Sequence, residues 1–257
     1  MGGISSLSKP RNYQVEAIVI RKVKLGEADR ILTFYTPCLG KIQGVARGVR
    51  RPRSKMSGHL ELLTHSTVSL ARGRNLDTVT GSQTIDSFFP LVNDLDLNSY
   101  ALYTVELINQ FTADSVENEP LFNLLLDVMK RLCDSCNVEV VVRCFELHLL
   151  ELVGYRPHFD CCILCRSSLK PVDNYFSDSD GGCVCPGCAA NRSSIKPISV
   201  NGIKVLRWLQ DVDLMEAERL KIAGGLSREL ESIMRGYVKY LLERDVKSTA
   251  WLDMLRE

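Results

Sequence analysis

The amino-terminal third of the chain is rich in β-branched residues, beginning with YQVEAIVIRKVKL at Tyr13–Leu25. This stretch starts by alternating apolar and polar residues, a pattern that predicts a half-buried strand. Four further runs of this kind are bounded by Gly, Pro, Asn or Asp, and they are Asp29–Thr36, Gly40–Val49, Leu60–Ala71 and Asn75–Asp86. Five short strands suit a small closed barrel better than a sandwich, which needs about seven. We therefore expect a five-stranded barrel of the oligonucleotide-binding (OB) type.

The basic residues of the chain are concentrated in the same third. Fourteen Lys and Arg residues against six Asp and Glu residues give positions 1–90 a net charge of +8, so the remainder carries −7 to leave +1 overall. The stretch RGVRRPRSK, Arg47–Lys55, contains five cations and no acid, and its Gly48 and Pro52 argue against a helix. A solvated loop is the simplest interpretation of a charge run. The excess charge of the whole third nevertheless favours contact with nucleic acid.

Candidate nucleic-acid contacts include the basic stretch and the cations of neighbouring strands and loops. They are Arg21, Lys22, Lys24, Lys41, Arg47, Arg50, Arg51, Arg53, Lys55, Arg72 and Arg74. Because such contacts go to phosphates, we expect binding with little preference for base sequence. Tyr13, Phe34 and Tyr35 are candidate aromatics for base stacking, although each can instead belong to the barrel core.

Beyond Phe88–Pro90 the apolar residues follow a helical period. The predicted helices are Asn98–Thr112, a segment that begins at Glu119, Glu139–Gly154, Ser199–Gln210 and Leu226–Asp245. Asn98 and Ser227 are the predicted N-caps of the first and the last of these helices. Three cysteines on or beside the helices are expected to be small buried hydrophobes, namely Cys133, Cys136 and Cys144. We expect one helical body that the remaining cysteine-rich segment interrupts.

Two Cys-x-x-Cys pairs lie in that segment. Cys162 and Cys165 in CCILC are separated by nineteen residues from Cys185 and Cys188 in CVCPGC, which gives the pattern C-x2-C-x19-C-x2-C. Two such turns present four thiolates to a tetrahedral zinc ion, and the spacing is in the zinc-ribbon range. Because four thiolates close the coordination shell, we expect one structural zinc ion rather than a catalytic one.

The same segment contains more cysteines than one zinc ion needs. Cys161 and Cys183 do not fit two equivalent turns, so we expect them to be non-ligands. His158 is close enough in sequence to replace a cysteine, and four cysteines also suit an iron–sulfur cluster, but the ribbon-like spacing favours mononuclear zinc. In the second turn we expect Pro186 to fix φ and Gly187 to let N–H groups approach the sulfurs.

The sequence contains none of the motifs GxxxxGK[ST], HExxH or GxSxG, so we expect a protein that is not an enzyme. Two alternatives stay open: a thiol- or metal-dependent oxidoreductase, and a zinc-ribbon structural protein that binds RNA. The start MGGISSLSKPRNY has too short an apolar stretch for a signal peptide, and no apolar run reaches the roughly 20 residues that span a bilayer. We therefore expect a cytoplasmic protein with reduced thiols and no membrane association.

Four longer segments stand in a distinctive order and spacing. They are AIVIRKVKLGEADRILTFYTPCLGKIQGVARGVRRPRSK at Ala17–Lys55, FELHLLELVGYRPHFDCCILC at Phe145–Cys165, FSDSDGGCVCPGC at Phe176–Cys188 and LLERDVKSTAWL at Leu241–Leu252. Together they resemble the bacterial RecO family of DNA repair proteins, which are recombination mediators. The resemblance runs over essentially the whole chain.

The resemblance implies an α+β architecture with an OB-fold DNA-binding domain, a helical domain and a zinc-binding insertion. The corresponding bounds in this chain are 1–88 for the barrel, 89–157 and 193–257 for the two helical parts, and 158–192 for the insertion. The family's cysteine pattern places the zinc ligands at Cys162, Cys165, Cys185 and Cys188. Arg166 stands where the first turn of the family commonly has glycine, which puts the geometry of that turn in question.

The resemblance also implies a function. It suggests binding of single- and double-stranded DNA, annealing of complementary strands, and help in loading the recombinase onto DNA coated by single-strand-binding protein. The partners it suggests are RecR and the acidic C-terminal tail of that coat protein. Such a protein would be cytoplasmic and associated with the nucleoid.

Overall fold

The computed structural model describes residues 11–135, 137–190, 192 and 194–254, apart from the side chain of Trp251. These residues form two units. The first contains the described residues up to Phe88 together with Ala113–Glu119, and the second contains Phe89–Thr112 and the described residues from Pro120 onward. The amino-terminal stretch 1–10, and Cys136 with its predicted buried thiol, lie outside the described residues.

The first unit is a closed five-stranded barrel, as the sequence predicts. Its strands are β1 (Asn12–Leu25), β2 (Asp29–Thr36), β3 (Gly40–Ala46), β4 (His65–Ala71) and β5 (Asp77–Asp86), in the order β1-β2-β3-β5-β4. Neighbouring strands are antiparallel except β3 and β5, which are parallel. This arrangement is that of an OB-type barrel. The predicted start of β4 is wrong, because Gly58–Leu60 forms a 3₁₀ turn instead.

Strand β1 closes the barrel because it pairs with two neighbours. Residues Asn12–Ile18 pair with β4, and residues Ile18–Leu25 pair with β2. The register shifts between Val19 and Arg21, close to the point where the strand changes partner. Such an irregularity bends a strand and increases its twist, which a small barrel requires.

The interior of the barrel is apolar, and two of the three candidate stacking aromatics are buried. Phe34 is fully buried in the core cluster, and Tyr35 is also fully buried. Neither ring is therefore available to a base. Tyr13 packs against the edge of the core and is half-buried, so part of its surface faces solvent.

The segment Ala113–Glu119 belongs to the barrel unit although helices precede and follow it in the sequence. The Ser115 N–H donates to the Lys41 carbonyl at 2.8 Å, and the Lys41 ammonium pairs with the Asp114 carboxylate at 3.3 Å. Gly40 has φ +60°, and a Cβ there would lie 1.9 Å from the carbonyl oxygen of Val116. Glycine at this position therefore lets the segment lie directly against the start of β3.

The second unit is helical. Its helices are α1 (Phe89–Asn93), α2 (Leu95–Phe111), α3 (Glu119–Asp134), α4 (Val138–Leu152), α5 (Pro186–Ala189), α6 (Val200–Asp211), α7 (Leu214–Ala217), α8 (Gly224–Leu242) and α9 (Thr249–Met254). Among the described residues, no helix is long and apolar enough to span a membrane.

The predicted N-caps Asn98 and Ser227 are both wrong. Asp94 caps α2 by accepting a hydrogen bond from the Leu97 N–H at 2.9 Å, and Asn98 lies inside the helix. Ser227 lies inside α8, where its hydroxyl donates to the Glu139 carboxylate. The apolar period identified both helices, but it could not distinguish the capping side chain from other polar residues nearby.

Helix α4 is buried on nearly all sides and forms the centre of the helical unit. Cys144 on this helix is buried, as predicted, and burial raises the pKa of its thiol to about 12; Cys133 is half-buried. Arg143 and Glu146 form a buried ion pair at 3.0 Å, and the Tyr103 hydroxyl donates to the same carboxylate at 2.6 Å. The partners explain how α4 tolerates buried charges.

A small antiparallel sheet lies in the cysteine-rich segment. Its strands are β6 (Asn174–Ser177), β7 (Gly182–Val184) and β8 (Ile195–Ile198), in the order β7-β6-β8. Phe176 of β6 stacks on Phe159 with a centroid distance of 5.7 Å and meets the edge of Tyr237 on α8 at 5.6 Å. The sheet is therefore anchored on the helical body. Because β8 lies beyond residue 192, the sheet extends past the predicted insertion 158–192. The bounds predicted for the barrel, the two helical parts and the insertion stay predictions.

We predict that Gly40→Ala destabilises the barrel far more than Gly26→Ala. Both glycines have positive φ, but a Cβ at Gly26 meets nothing within 4 Å. Left-handed strain alone should lower the free energy of unfolding by about 1–2 kcal/mol in either variant. At Gly40, overlap with the Val116 carbonyl should increase this loss to at least about 3 kcal/mol. Urea unfolding of the two variants measures the difference, and equal losses would show that Ala113–Glu119 does not lie against β3.

Candidate metal centre and nucleic-acid interface

The four cysteines that the spacing selects lie together in space. The sulfurs of Cys162, Cys165, Cys185 and Cys188 are all within 4.8 Å of one another. The sulfurs of Cys165 and Cys185 are 3.8 Å apart. A zinc ion with tetrahedral Zn–S bonds of about 2.3 Å separates its sulfurs by about 3.8 Å. The donor set and its size therefore fit a zinc ion.

Backbone N–H groups around the Cys162 sulfur favour its thiolate form. Burial alone would raise the pKa of the Cys162 thiol, but N–H groups of Cys165, Cys185 and Leu164 donate to its sulfur and lower the pKa overall. The Cys185 N–H lies 3.4 Å from that sulfur. Metal ligation requires thiolate, so these donors suit a ligand cysteine.

The two surplus cysteines lie outside the sulfur cluster. Cys183 is buried in β7, and burial raises the pKa of its thiol to about 12. Cys161 is half-buried and forms an isolated backbone bridge with Ser168. His158 forms a backbone bridge with Gly182 and is not in the cluster either. The assignment of all three as non-ligands remains a prediction that this geometry supports.

The two cysteine turns are built differently. In the first, Arg166 adopts φ +60°, the left-handed conformation that favours glycine. Its N–H donates to the Cys162 carbonyl at 2.9 Å and closes the turn. In the second, Pro186 begins α5, while Gly187 has no positive φ, and a Cβ at Gly187 would meet nothing within 4 Å. Steric access to the sulfurs therefore does not explain Gly187.

We predict that the purified protein contains about one zinc ion per chain. Replacing any of the four cluster cysteines by serine removes a thiolate, so the zinc content should fall to near zero and the β6–β8 lobe should lose its fold. Inductively coupled plasma mass spectrometry measures the metal. Cys161→Ser is the matched control and should retain zinc, and loss of zinc in that variant would contradict the four-ligand assignment.

We also predict that Arg166→Gly stabilises the metal lobe. Removal of left-handed strain should raise the free energy of unfolding by about 0.5–1 kcal/mol, after the greater flexibility of glycine in the unfolded chain is subtracted. Arg166→Ala is the control, because alanine keeps the strain. Thermal unfolding of the zinc-bound proteins compares them, and an equal gain in both variants would attribute the effect to the arginine side chain instead.

The basic loop Arg47–Lys55 lies against the tip of the β1–β2 hairpin. The Arg50 N–H donates to the Ala28 carbonyl at 2.9 Å, and the Gly48 N–H donates to the Asp29 carboxylate at 2.7 Å. The Arg50 guanidinium also donates to the Gly26 carbonyl at 3.2 Å. These bonds hold the loop against the hairpin tip, and the strand β1 that leads to this tip carries three further exposed cations. We call this set the cationic patch: Arg21, Lys22, Lys24, Arg47, Arg50, Arg51, Arg53 and Lys55.

The cationic patch is exposed, and most of its cations lack acidic partners among the described residues. Its eight cations are all exposed residues. Lys22 pairs with Glu61, which also pairs with Arg30 at 2.7 Å. The other seven cations of the patch make no ion pair with any described residue. Their charge is therefore available to an external anion.

The other three candidate contacts lie elsewhere on the barrel. Lys41 is largely buried and pairs with Asp114. Arg72 is exposed and lies over the ring of Tyr13, with its guanidinium carbon 4.8 Å from the ring centroid. Arg74 is exposed in the loop between β4 and β5. All eleven candidates remain predictions as DNA contacts.

Asp29 and the segment Ala113–Glu119 contribute contacts that the sequence patterns do not indicate. Asp29 is an acid inside a basic region, and its carboxylate fixes the loop through the Gly48 N–H. The acid Asp114 pairs with Lys41 from more than seventy residues away. Charge and proximity in sequence carry no signal for either contact, because each joins residues that come together only when the chain folds.

An OB-type barrel joined to a helical unit that carries a four-cysteine cluster defines the class of this protein. Its sequence matches the family described as Recombination protein O N terminal over residues 11–88 and Recombination protein O C terminal over residues 92–250. These matches cover most of the chain, which therefore belongs to the RecO family.

Individual relatives agree over nearly the full length. The DNA repair protein RecO of Dehalococcoides mccartyi strain 195 is 45% identical over 97% of this chain and 98% of its own. The protein of that name from Roseiflexus sp. strain RS-1 is 40% identical over 97% of this chain and 88% of its own. The one from Pelotomaculum thermopropionicum is 36% identical over 94% of this chain and 93% of its own.

Proposed function

We propose that this protein is a DNA-binding recombination mediator that is not an enzyme. It binds single- and double-stranded DNA, anneals complementary strands, and helps to load the recombinase onto DNA coated by single-strand-binding protein. The observation that carries the proposal is the cationic patch, in which seven exposed cations lack an acidic partner among the described residues. Membership of the RecO family supports the same function.

The distribution of ion pairs supports the barrel as the DNA-binding unit. In the helical unit, several arginines lie beside acids: Arg131 pairs with Glu218 at 3.5 Å, and Arg207 pairs with Asp160 at 3.1 Å. Arg156 contacts two carboxylates. Such pairs leave little net charge for a polyanion, whereas the cationic patch keeps its charge.

Phosphate neutralisation explains how the patch would promote annealing. Two DNA strands repel each other through their phosphates, and guanidinium groups that bind both backbones reduce that repulsion. Arginine suits this role because its planar fork donates to two phosphate oxygens at once. Contacts of this kind carry no sequence information, so any complementary pair of strands can be brought together.

The metal centre has a structural role in this proposal. A zinc ion would supply four-thiolate coordination at the cysteine cluster and hold the two turns together. Cys162 is buried and the cluster is filled by cysteine, so the site leaves no ligand position for a substrate or water. The centre therefore acts on the fold of its own lobe.

Membership of the family also supports a proposal about partners and location. We propose that RecR and the acidic C-terminal tail of single-strand-binding protein bind this protein, and that it acts in the cytoplasm on nucleoid DNA. Family membership supports both statements.

The DNA-binding proposal predicts a steep dependence of affinity on salt. If five phosphates on a single strand are neutralised, log K falls with log salt with a slope of about −3.5, so a fourfold rise in salt weakens binding by about two orders of magnitude. Combined Arg50→Glu, Arg51→Glu and Arg53→Glu should flatten the slope by about 2 units. Fluorescence anisotropy over a salt series measures both values.

The matched control reverses three exposed cations of the helical unit by Lys204→Glu, Lys221→Glu and Arg244→Glu. It changes the net charge by the same amount and should keep the wild-type slope. The same proteins are then tested for annealing of complementary oligonucleotides without ATP. Wild type and control should accelerate annealing, and the barrel variant should not. Wild-type protein that fails to accelerate annealing, or that prefers structured RNA to single-stranded DNA, would overturn the proposal.

A further inference from the structure

A cleft on the barrel unit is separate from the basic loop. Tyr13 of β1, the start of β3, the loop between β4 and β5, and part of Ala113–Glu119 line it. No residue of Arg47–Lys55 is among the lining residues described. In an OB-type barrel, loops that flank the second and third strands, including the β4–β5 loop, form the usual ligand groove.

Arg72 and Tyr13 form a cation–π stack that lines this cleft. The Arg72 guanidinium carbon lies 4.8 Å from the centroid of the Tyr13 ring. The Tyr13 hydroxyl donates to one oxygen of Asp77 at 2.5 Å, and the Gly73 N–H donates to the other oxygen at 3.0 Å. Asp77 therefore fixes both the ring and the turn that carries Arg72.

The turn itself has little freedom. A Cβ at Gly73 would lie 1.8 Å from the Leu76 carbonyl oxygen, so glycine permits the tight path of the chain. A rigid stacking surface loses little entropy when a ligand binds, which is the condition for strong binding to a small contact area. The Tyr13–Arg72 stack is thus preorganised.

The charges of the cleft select the chemical class of ligand. Lys41 and Arg72 are its cations, and Asp77, Asp114 and Glu117 are its acids. Because acids outnumber cations, a phosphate group in the cleft would meet little net electrostatic attraction. A neutral aromatic heterocycle is not repelled by the acids, and it can stack on the exposed guanidinium of Arg72.

Hydrogen-bonding groups in the lining are consistent with a heterocycle. Gln43 and Asn75 are both lining residues. Each carries an amide with donors and an acceptor, which match the edges of a base that has lost its pairing partner. Apolar contact comes from Leu39, Ile42 and Leu76 of the same lining.

We propose that this cleft binds one unpaired nucleobase, stacked on the Arg72 guanidinium over Tyr13. The inference rests on the proposed DNA-binding function and deepens it, because the cationic patch holds phosphates while the cleft holds a base. A paired base cannot leave its stack without cost. The cleft therefore gives the protein a preference for single-stranded over double-stranded DNA that charge alone does not supply.

Arg72→Lys tests the stack, because lysine keeps the positive charge and removes the planar surface. Stacking of one base on a side chain accounts for about 5- to 150-fold in affinity. Arg72→Lys should weaken binding of a single strand of about 16 nucleotides by that factor and leave duplex affinity unchanged within about twofold. Anisotropy with labelled oligonucleotides gives both numbers.

An abasic scan keeps the test independent of where the base sits. Oligonucleotides with one abasic position, moved along the strand, should show a loss at one position with wild-type protein and no further loss with Arg72→Lys. Tyr13→Phe keeps the ring and loses only the hydrogen bond to Asp77, so it should weaken single-strand binding less than Tyr13→Leu, which should bind single strands as poorly as Arg72→Lys. Thermal unfolding of each variant checks that the barrel is folded.

The outcomes separate this inference from the proposed function. Equal single-strand affinity of wild type and Arg72→Lys, together with loss of binding in the Arg50, Arg51 and Arg53 reversal, would overturn the base site and leave the DNA-binding proposal intact. Equal weakening of single-strand and duplex binding by Arg72→Lys would also overturn it, because that result assigns Arg72 to phosphate. Absence of DNA binding by the wild-type protein would overturn both.

Discussion

The hydrogen bonds that fix the basic loop to the β1–β2 hairpin are the constraint on which the functional surface depends. Gly48 and Arg50 contribute backbone N–H groups, and Asp29 and Ala28 accept them at 2.7 Å and 2.9 Å. Without these bonds, like charges within Arg47–Lys55 would repel and spread the loop. With them, the five cations of the loop are held beside the tip of the β1–β2 hairpin. The proposed DNA binding depends on this charge density, which the fold maintains.

The four-cysteine cluster and the cationic patch belong to different units of the chain. The patch belongs to the barrel, and the four cysteines belong to the helical unit. Phe159, Phe176 and Tyr237 join the cysteine lobe to α8. The zinc ion would therefore stabilise a lobe of the helical unit, whereas the proposed contact with phosphates depends on the barrel. Loss of metal and loss of cations should accordingly have separable effects.

Much of this architecture was predictable from local patterns. Strand β2 has the bounds that its apolar run predicts, and the four clustered cysteines are those that the C-x2-C spacing selects. Both signals are short-range. The sequence could not predict that Asp114 pairs with Lys41, because that contact joins distant parts of the chain. The local pattern does not require the left-handed φ of Arg166, and only the glycine that is common at this position in the family pointed to it.

Hydrogen exchange of the full-length protein with and without a single-stranded oligonucleotide tests the central claim most directly. Amides whose surroundings become ordered on binding exchange more slowly, and mass spectrometry locates them along the chain. The account predicts that slowing is strongest in peptides that cover residues 21–30 and 47–55, where the cationic patch lies. Slowing confined to residues 158–198, with none in the barrel, would contradict it and assign DNA binding to the metal lobe.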